Sequence, residues 1–275
     1  MGKLYVVPTP IGNLGDITLR AKETLEGVDF VASEDTRIGG RLMHLLGLKK
    51  PLVSFHEHTR ASTCEAVALR IAQGESCALI TDAGTPAVSD PGEKLVAACA
   101  AMGVDIIPLP GACAAVTALS ASGLPSRRFC FEGFLPDTKS ARAERIAELK
   151  SEKRTFILYI SPHDAAEYLN ELAAEMGERR CVLAKELTKL HERFFRGTLG
   201  SVAQEFSALP EPDRRGEYVL ICTGRSDEEC FWLDMDIREH VEKYMSLGMS
   251  KMDACKQVAR DRGVGKGVIY REVNE

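Results

Sequence analysis

Residues 77–92 read CALITDAGTPAVSDPG. The run CALI has the length and character of a strand buried on both faces. Two glycines, two prolines and two aspartates follow it, at Asp82, Gly84, Pro86, Asp90, Pro91 and Gly92. Neither helix nor strand accommodates that composition, whereas Gly and Pro hold a chain on an unusual, fixed path. The bland reading is a strand-to-helix turn, with Asp90 as helix N-cap and Pro91 at the first helical position. It accounts for SDPG and leaves DAGTP unexplained, since two residues would have sufficed. The stretch therefore reads as a binding loop at the carboxyl end of a buried strand. Buried strands of this kind belong to parallel sheets covered by helices.

Reading outward, residues 1–121 alternate. Strand-like runs fall at Leu4–Pro8, Phe30–Ser33, Leu52–Phe55, Cys77–Thr81 and Val104–Leu109. Helical stretches lie between them at Thr18–Glu26, Gly40–Leu46, Ser62–Gln73, Pro91–Met102 and Ala112–Ala121. This is the pattern of an α/β domain, in which ligands sit outside the carboxyl ends of the strands. The unusual loops PTPIGN, SEDTR, HEHTR, TDAGTPAVSDPG and PGACAA all follow strands. Gly123–Lys139 reads as a boundary. A second alternating block follows, with RFFRGTL after KELTKLHE indicating an antiparallel part. From Trp232 the chain reads as three short helices. Ser250 caps the second and Gly263 ends it, with Ala254, Val258, Ala259, Val264, Val268 and Ile269 facing a core. That spacing fits a helix-turn-helix or a small structural cap. The expected domains are thus 1–122, 123–226 and 232–275.

The bulk numbers exclude several classes. The chain has 275 residues, 45% of them hydrophobic, and a net charge of −5, so it is not a basic nucleic-acid binder as a whole. Basic patches exist locally. Arg179–Arg196 holds six Lys/Arg against Glu186 and Glu192, and Lys139–Arg154 six against Glu144, Glu148 and Glu152. Nine cysteines without a CxxC pair, mostly in apolar runs, read as small buried hydrophobes in a reducing cytoplasm. No apolar run reaches about 18 residues. The expected location is cytoplasmic, with no membrane partner.

The first loop, VPTPIGNLGDIT, is neither GxGxxG nor a P-loop. Glu34, Asp35 and Arg37 cluster after the second strand. His56 and His58 have the spacing of a metal pair, but no third ligand lies near them in sequence. No metal is therefore expected, and His56, His58 and Arg60 read instead as substrate or phosphate contacts. Asn13, Arg37, Lys185, Lys189 and Arg193 join them as polar groups at strand ends. For each, a solvated surface residue is the ordinary alternative.

VPTPIGNLGDIT, ASEDTR, SFHEH, TDAGTPAVSDPG, PLPGACAA and KELTKLHERFFRGTL, in this order, closely resemble the ribosomal RNA small subunit methyltransferase I family of the tetrapyrrole-methylase superfamily. The resemblance spans about residues 4–223, and the tail resembles a helix-turn-helix appendage of some members. It implies two α/β domains with S-adenosylmethionine in the cleft between them, plus a small helical C-terminal domain. It also implies a homodimer, and 2′-O-methylation of a cytidine in 16S rRNA at the decoding centre, with the 30S subunit as partner. Carried over by position, cofactor contacts fall on Pro8, on Asp82, Ala83, Gly84, Thr85 and Pro86, and on Val88. Further contacts fall on Ala112, Cys113 and Ala114, and on Ile160 and Leu187. Gly84 and its neighbours would offer backbone groups to the methionine moiety. Many tetrapyrrole methylases carry GxGPGD and GDP where this chain has PTPIGN and GTP, a departure matching the RNA-modifying branch.

A ribose hydroxyl is poorly acidic, so a base assists its methylation. Asp35, His56, His58, Asp82 and Asp90 are candidates, and Glu34, Asp35 and Asp82 are the expected catalytic cluster. Two rival readings are a small-molecule methylase of the same superfamily and a ligand-binding DNA regulator using the C-terminal helices.

Overall fold

The computed structural model describes residues 2–56, 59–226, 232 and 235–274. The expected contact His58 lies outside them. Contacts divide the chain into two compact units, Met1–Gly224 and Arg225–Glu275.

The first unit holds two five-stranded sheets. The first sheet is formed by β1 (Lys3–Val6), β2 (Phe30–Ser33), β3 (Leu52–Ser54), β4 (Cys77–Ile80) and β5 (Asp105–Pro108). Its order is β3-β2-β4-β1-β5 and every pairing is parallel. All four residues of both β2 and β4 are buried, as their apolar runs require. The helices α1 (Leu19–Gly27), α2 (Thr36–Leu45), α3 (Ala61–Ala72), α4 (Glu93–Ala101) and α5 (Ala114–Ser122) alternate with the strands. Two apolar clusters, one around Leu4, Phe30 and Leu79 and one around Val7, Val31 and Ile80, fill the opposite faces. Because the strands run the same way, the loops after β1, β2, β4 and β5 emerge at one edge.

Among the helix starts that differ from expectation, those of α2 and α4 turn on their caps. α2 begins at Thr36 rather than Gly40, because Asp35 caps it by accepting from the Arg37 N–H at 2.8 Å. α4 begins at Glu93 with Gly92 as N-cap, so Asp90 is not the cap.

The second sheet comprises β6 (Phe129–Phe134), β7 (Thr155–Ile160), β8 (Arg180–Lys185), β9 (Arg193–Thr198) and β10 (Tyr218–Cys222), in the order β6-β7-β10-β8-β9. Only β6 and β7 pair in parallel; the other pairings are antiparallel, in line with the RFFRGTL reading. One face packs on α6 (Lys139–Ser151), α7 (Ala165–Met176) and α8 (Leu199–Ala208). The other face receives α5: Ala115, Ala118 and Leu119 pack against Ile157, Val182 and Ile221. The expected boundary at 122/123 therefore falls at the end of a helix already seated on the second sheet.

The second unit contains α9 (Ile237–Ser246), α10 (Lys251–Asp261) and α11 (Lys266–Asn274) around Val241, Ala254, Cys255, Val258 and Ile269. Ser250 caps α10, accepting from the Asp253 N–H. Val264 and Val268, expected in this core, are exposed. Ile269 takes the core position of α11 and helical spacing then turns Val273 inward, which leaves Val268 outside. Six of the eight cysteines among the described residues are buried, and Cys113 and Cys130 are partly so.

Candidate active site

The four loops at the parallel sheet's carboxyl edge are laced together. Thr9 and Gly84 exchange two backbone hydrogen bonds, of 2.9 and 3.0 Å. The Thr9 hydroxyl donates to the Thr81 carbonyl at 3.0 Å, and the Thr85 hydroxyl to the Ala112 carbonyl at 2.8 Å. The Asp35 N–H donates to Asp82 Oδ1 at 3.1 Å. Gly84 holds φ +89°, a conformation L side chains rarely adopt. Its own N–H and carbonyl both bond Thr9, so it shapes the wall rather than offering those groups to a ligand, as had been expected.

The second sheet supplies the facing wall through a bulge. The β6–β7 register shifts between Phe131 and Gly133, and Gly133 sits at φ +66°. A Cβ there would lie 3.1 Å from Ser89 Oγ, so glycine lets the bulge press onto the 84–92 loop. The bulge presents Phe134, which meets the Tyr159 ring edge-on at 5.5 Å between centroids.

Between these walls lies a cavity of about 290 Å³, near the lower limit for small-molecule sites. Of the residues expected to contact a cofactor, Ala83, Gly84, Thr85 and Val88 line it from one loop, Cys113 and Ala114 from the start of α5, and Ile160 and Leu187 from the second sheet. Pro8, Asp82, Pro86 and Ala112 are not in its wall. Pro8 packs on Gly111, where a Cβ would stand 2.5 Å from the Pro8 Cβ, and Asp82 and Ala112 serve the lacing. Ile11, Ser89, Phe134 and Tyr159 line the cavity without having been expected. Its only charged wall residues among those described are Asp90 and Glu217.

A second cavity of about 600 Å³ shares Ser89, Asp90 and Phe134 with the first. Glu34, His56, Glu93, Lys94 and Glu132 add polar groups to it. Backbone strain gathers beside these cavities. Ala87, Ser89, Glu186 and Thr188 are the non-glycine residues at positive φ among those described. Such residues cost on the order of 1–3 kcal/mol each and persist only where the surroundings impose them.

The carboxylates divide by partner. Asp35 is bound by the Arg37 guanidinium, which holds it down at about 2, so it caps a helix and is a poor proton acceptor. Asp82 is raised, chiefly by burial, and its Oδ1 holds the Asp35 amide. Thr81 Oγ1 lies 2.7 Å from Glu34 Oε2 and 3.0 Å from Asp90 Oδ1. Burial, opposed by that contact and aided by the negative Glu34 and Asp82, pushes Asp90 up to about 6.

Of the expected substrate contacts, His56 lines the second cavity. Asn13 caps a short turn through the Gly15 N–H, and Arg60 stands at the N-cap of α3. Lys185 bonds the Asp213 carbonyl, Lys189 pairs with Glu186 and Glu217, and Arg193 with Glu205. These five and Arg37 line neither cavity.

Fold and site together define a methylase of the tetrapyrrole class. The sequence profile of the tetrapyrrole (corrin/porphyrin) methylases matches residues 3–203. The uroporphyrin-III C-methyltransferase from Thermus thermophilus, complexed with S-adenosylhomocysteine, shares the fold at TM-score 0.53 and 19% identity, over 81% of this chain and 97% of that one. Ribosomal RNA small subunit methyltransferase I of Halalkalibacterium halodurans is 43% identical over 98% of this chain and 93% of its own length. Its Bacillus subtilis counterpart is 41% identical over 98% and 93%. The chain belongs to the ribosomal RNA small subunit methyltransferase I family, as its motifs indicated.

Proposed function

We propose that this protein transfers the methyl group of S-adenosylmethionine to the ribose 2′-hydroxyl of a cytidine in 16S rRNA. The observation that carries this reading is the wall of Ser89, Asp90 and Phe134 common to both cavities. A donor in the smaller cavity and an acceptor in the larger would meet across it.

The residues of the smaller cavity fit the cofactor. Its described wall has two carboxylates and no Lys, Arg or His, which suits a cationic sulfonium and disfavours a phosphate-bearing ligand. Gly84, Thr85, Cys113, Ala114, Ile160 and Leu187 would hold it. When bound, S-adenosylmethionine supplies an electrophilic methyl group on sulfur. The chain's part is to hold the acceptor oxygen in line and in near contact, which is the larger share of catalysis for such a displacement. The larger cavity is rich in hydrogen-bond acceptors (Glu34, Glu93 and Glu132), which suit an exocyclic amine and ribose hydroxyls. Phe134, 56% exposed, offers a stacking surface to a base. The 2′-hydroxyl makes the reaction specific to RNA.

The assembled 30S subunit and a homodimer complete the proposal. Ile38 and Leu45, exposed on α2 at helical spacing, support self-association. The division of residues 1–226 at 122/123 is kept as a functional one, each half giving one wall.

The test is methyl transfer from labelled S-adenosylmethionine to 30S subunits, naked 16S rRNA and a tetrapyrrole precursor, with the product mapped by nuclease digestion. A 2′-O-methylcytidine in 30S subunits is the expected result. Label on the tetrapyrrole alone would overturn the substrate.

A further inference from the structure

The basic runs legible in the sequence are largely neutralised by the fold. In the run Arg179–Arg196, Arg179 is buried and donates to the Leu149 carbonyl at 2.9 Å, Lys189 pairs with Glu186 and Glu217, and Arg193 with Glu205. In the run Lys139–Arg154, Arg142 is clamped by Glu167 and Glu171, Arg145 pairs with Glu132 and Glu148, and Lys150 with Glu175. The topology of the second sheet assembles a different basic surface, from residues of five segments.

β6, β7 and β8 begin, and β9 and β10 end, at one edge of that sheet. The smaller cavity takes Ile160 and Tyr218 from the opposite edge. Arg127 and Arg128 precede β6, Lys153 and Arg154 precede β7, Arg180 opens β8, and Arg196 lies near the end of β9. The pairs Phe129–Thr155 and Arg180–Thr198, with Cys222 between Phe156 and Cys181, bring these segments level with one another. Five strands at a spacing of about 4.8 Å spread the row over about 19 Å. The segments 125–130, 151–155, 177–182, 196–198 and 222–224 hold seven Lys/Arg against Glu152 and Glu178, in a chain whose net charge is −5. Arg154 takes up Glu152 at 2.7 Å. Arg127, Arg128 and Arg180 are exposed and make no ion pair or side-chain hydrogen bond among the described residues.

A cavity of about 560 Å³ indents this row, with Arg180, Arg196, Ser122, Thr198 and Ser201 in its wall. Arg196 is fixed there. It donates to the Ser122 and Ala121 carbonyls at 2.6 and 2.7 Å and lies over the Phe194 ring. That seats its guanidinium at the carboxyl end of α5, where the helix dipole favours a cation. Arg180 stands in the same wall with its donors open to a ligand, and a planar guanidinium matches the oxygens of a phosphate. Phe129 is exposed next to Arg128 and offers a flat apolar face to an unstacked base.

A polyanion gains little affinity from the larger cavity, where Glu34, Glu93 and Glu132 outnumber Lys94. An acidic site on an acidic protein needs its phosphate contacts elsewhere. We propose, resting on the rRNA methylation reading above, that the Arg127–Arg128–Arg180–Arg196 edge holds the phosphate backbone of the rRNA. It lies roughly 20 Å from the smaller cavity, the length of a six-residue strand such as β7. The acceptor nucleotide enters the larger cavity while a more distant stretch of the same RNA is gripped at this edge. Contacts of this kind set the position of the substrate and carry no base specificity.

The experiment compares wild type with R127Q/R128Q/R180Q and with R20Q/K22Q/K49Q, a control that removes three exposed charges around α1 and the end of α2. Arg196 is left in place because it holds α5. Binding of 30S subunits and of naked 16S rRNA is measured against salt, methylation is followed on both, and oligomeric state is read by sedimentation. The edge variant is expected to bind about tenfold or more weakly than wild type at about 0.1 M salt. The slope of log affinity against log salt should flatten by about 2, since each single-strand phosphate contact contributes about 0.7. The loss should fall on KM for the RNA and not on kcat, with S-adenosylhomocysteine bound as by wild type. A loss and a slope no different from the control's would overturn the proposal. So would a changed oligomeric state, which would make the edge an interface between copies of the chain. If the triple variant does not fold, R180Q alone should flatten the slope by about 0.7, and an unaltered slope overturns the assignment. Wild type that methylates neither RNA form refutes the substrate reading instead, and binding of naked 16S rRNA still judges the edge.

Discussion

At the scale of single residues, the site separates groups that react from groups that hold. Asp82, expected among the catalytic residues, bonds the Asp35 amide and lines neither cavity. D82A should therefore lower turnover by about tenfold, the scale of a misplaced reacting group, with binding of 30S subunits unchanged. D82N, which keeps the accepting oxygen, should restore most of it; equal losses of turnover and binding in D82A would refute this. Asp90 carries the opposite sign in stability. Its folded-state pKa, about 6, stands above the ordinary 3.8. The native protein thus holds a proton between those values that the unfolded chain releases, and stability is lost as pH rises through 6. D90N should gain about 1 kcal/mol at pH 8, after allowance for partial exposure, and less at pH 4. Denaturant melts at the two pH values check it.

At the scale of elements, the strand-to-loop grammar carried most of the information. The alternation in residues 1–121 gives a parallel sheet, and four of the loops that looked odd, those after β1, β2, β4 and β5, lie at its carboxyl edge. What could not be read was anything joining distant segments. The larger cavity takes Glu34, Asp90 and Phe134 from loops and strands far apart in the chain, and only the Gly133 bulge brings the last of them into place. Asp90 was misplaced because Asp-Pro-Gly satisfies the local rules of a cap, while the positive φ of Ala87 and Ser89 that turns it inward has no signature in those residue types. A buried clamp was likewise invisible. Arg142, 3% exposed, pairs with Glu167 and Glu171 and bonds the Pro136 and Asp137 carbonyls, fixing the chain just beyond Phe134. R142M should cost about 3 kcal/mol, as removal of one partner from a buried ion pair does, and should weaken acceptor binding more than cofactor binding. Equal effects on the two would detach the clamp from the larger cavity.

At the scale of the whole molecule, two compact units imply two melting transitions. They should respond differently to acid. His240, stacked on Trp232, lies with Nε2 3.3 Å from Asp261 Oδ2 and accepts at Nδ1 from Arg262 Nε. Burial, outweighing Asp261, brings it from 6.5 down to about 4. Its neutral form is favoured in the fold, so this stability is complete above pH 6.5 and is lost as pH falls toward 4. Calorimetry at pH 7 and pH 5 should show the smaller transition weakened by about 2 kcal/mol, and H240F should abolish the difference; a shift confined to the larger transition would refute this. The lacing of the rim bears on how such a molecule can change. Thr9 and Gly84 join two of the loops through main-chain groups alone, and the Thr85 hydroxyl ties a third through the Ala112 carbonyl. The seat proposed for the donor is therefore held in part by backbone alone, while the larger cavity is walled by side chains such as Glu93 and Glu132. A lineage or a designer can rewrite the second without disturbing the first. One scaffold can then serve unrelated methyl acceptors by exchanging a handful of residues on one side of a shared partition.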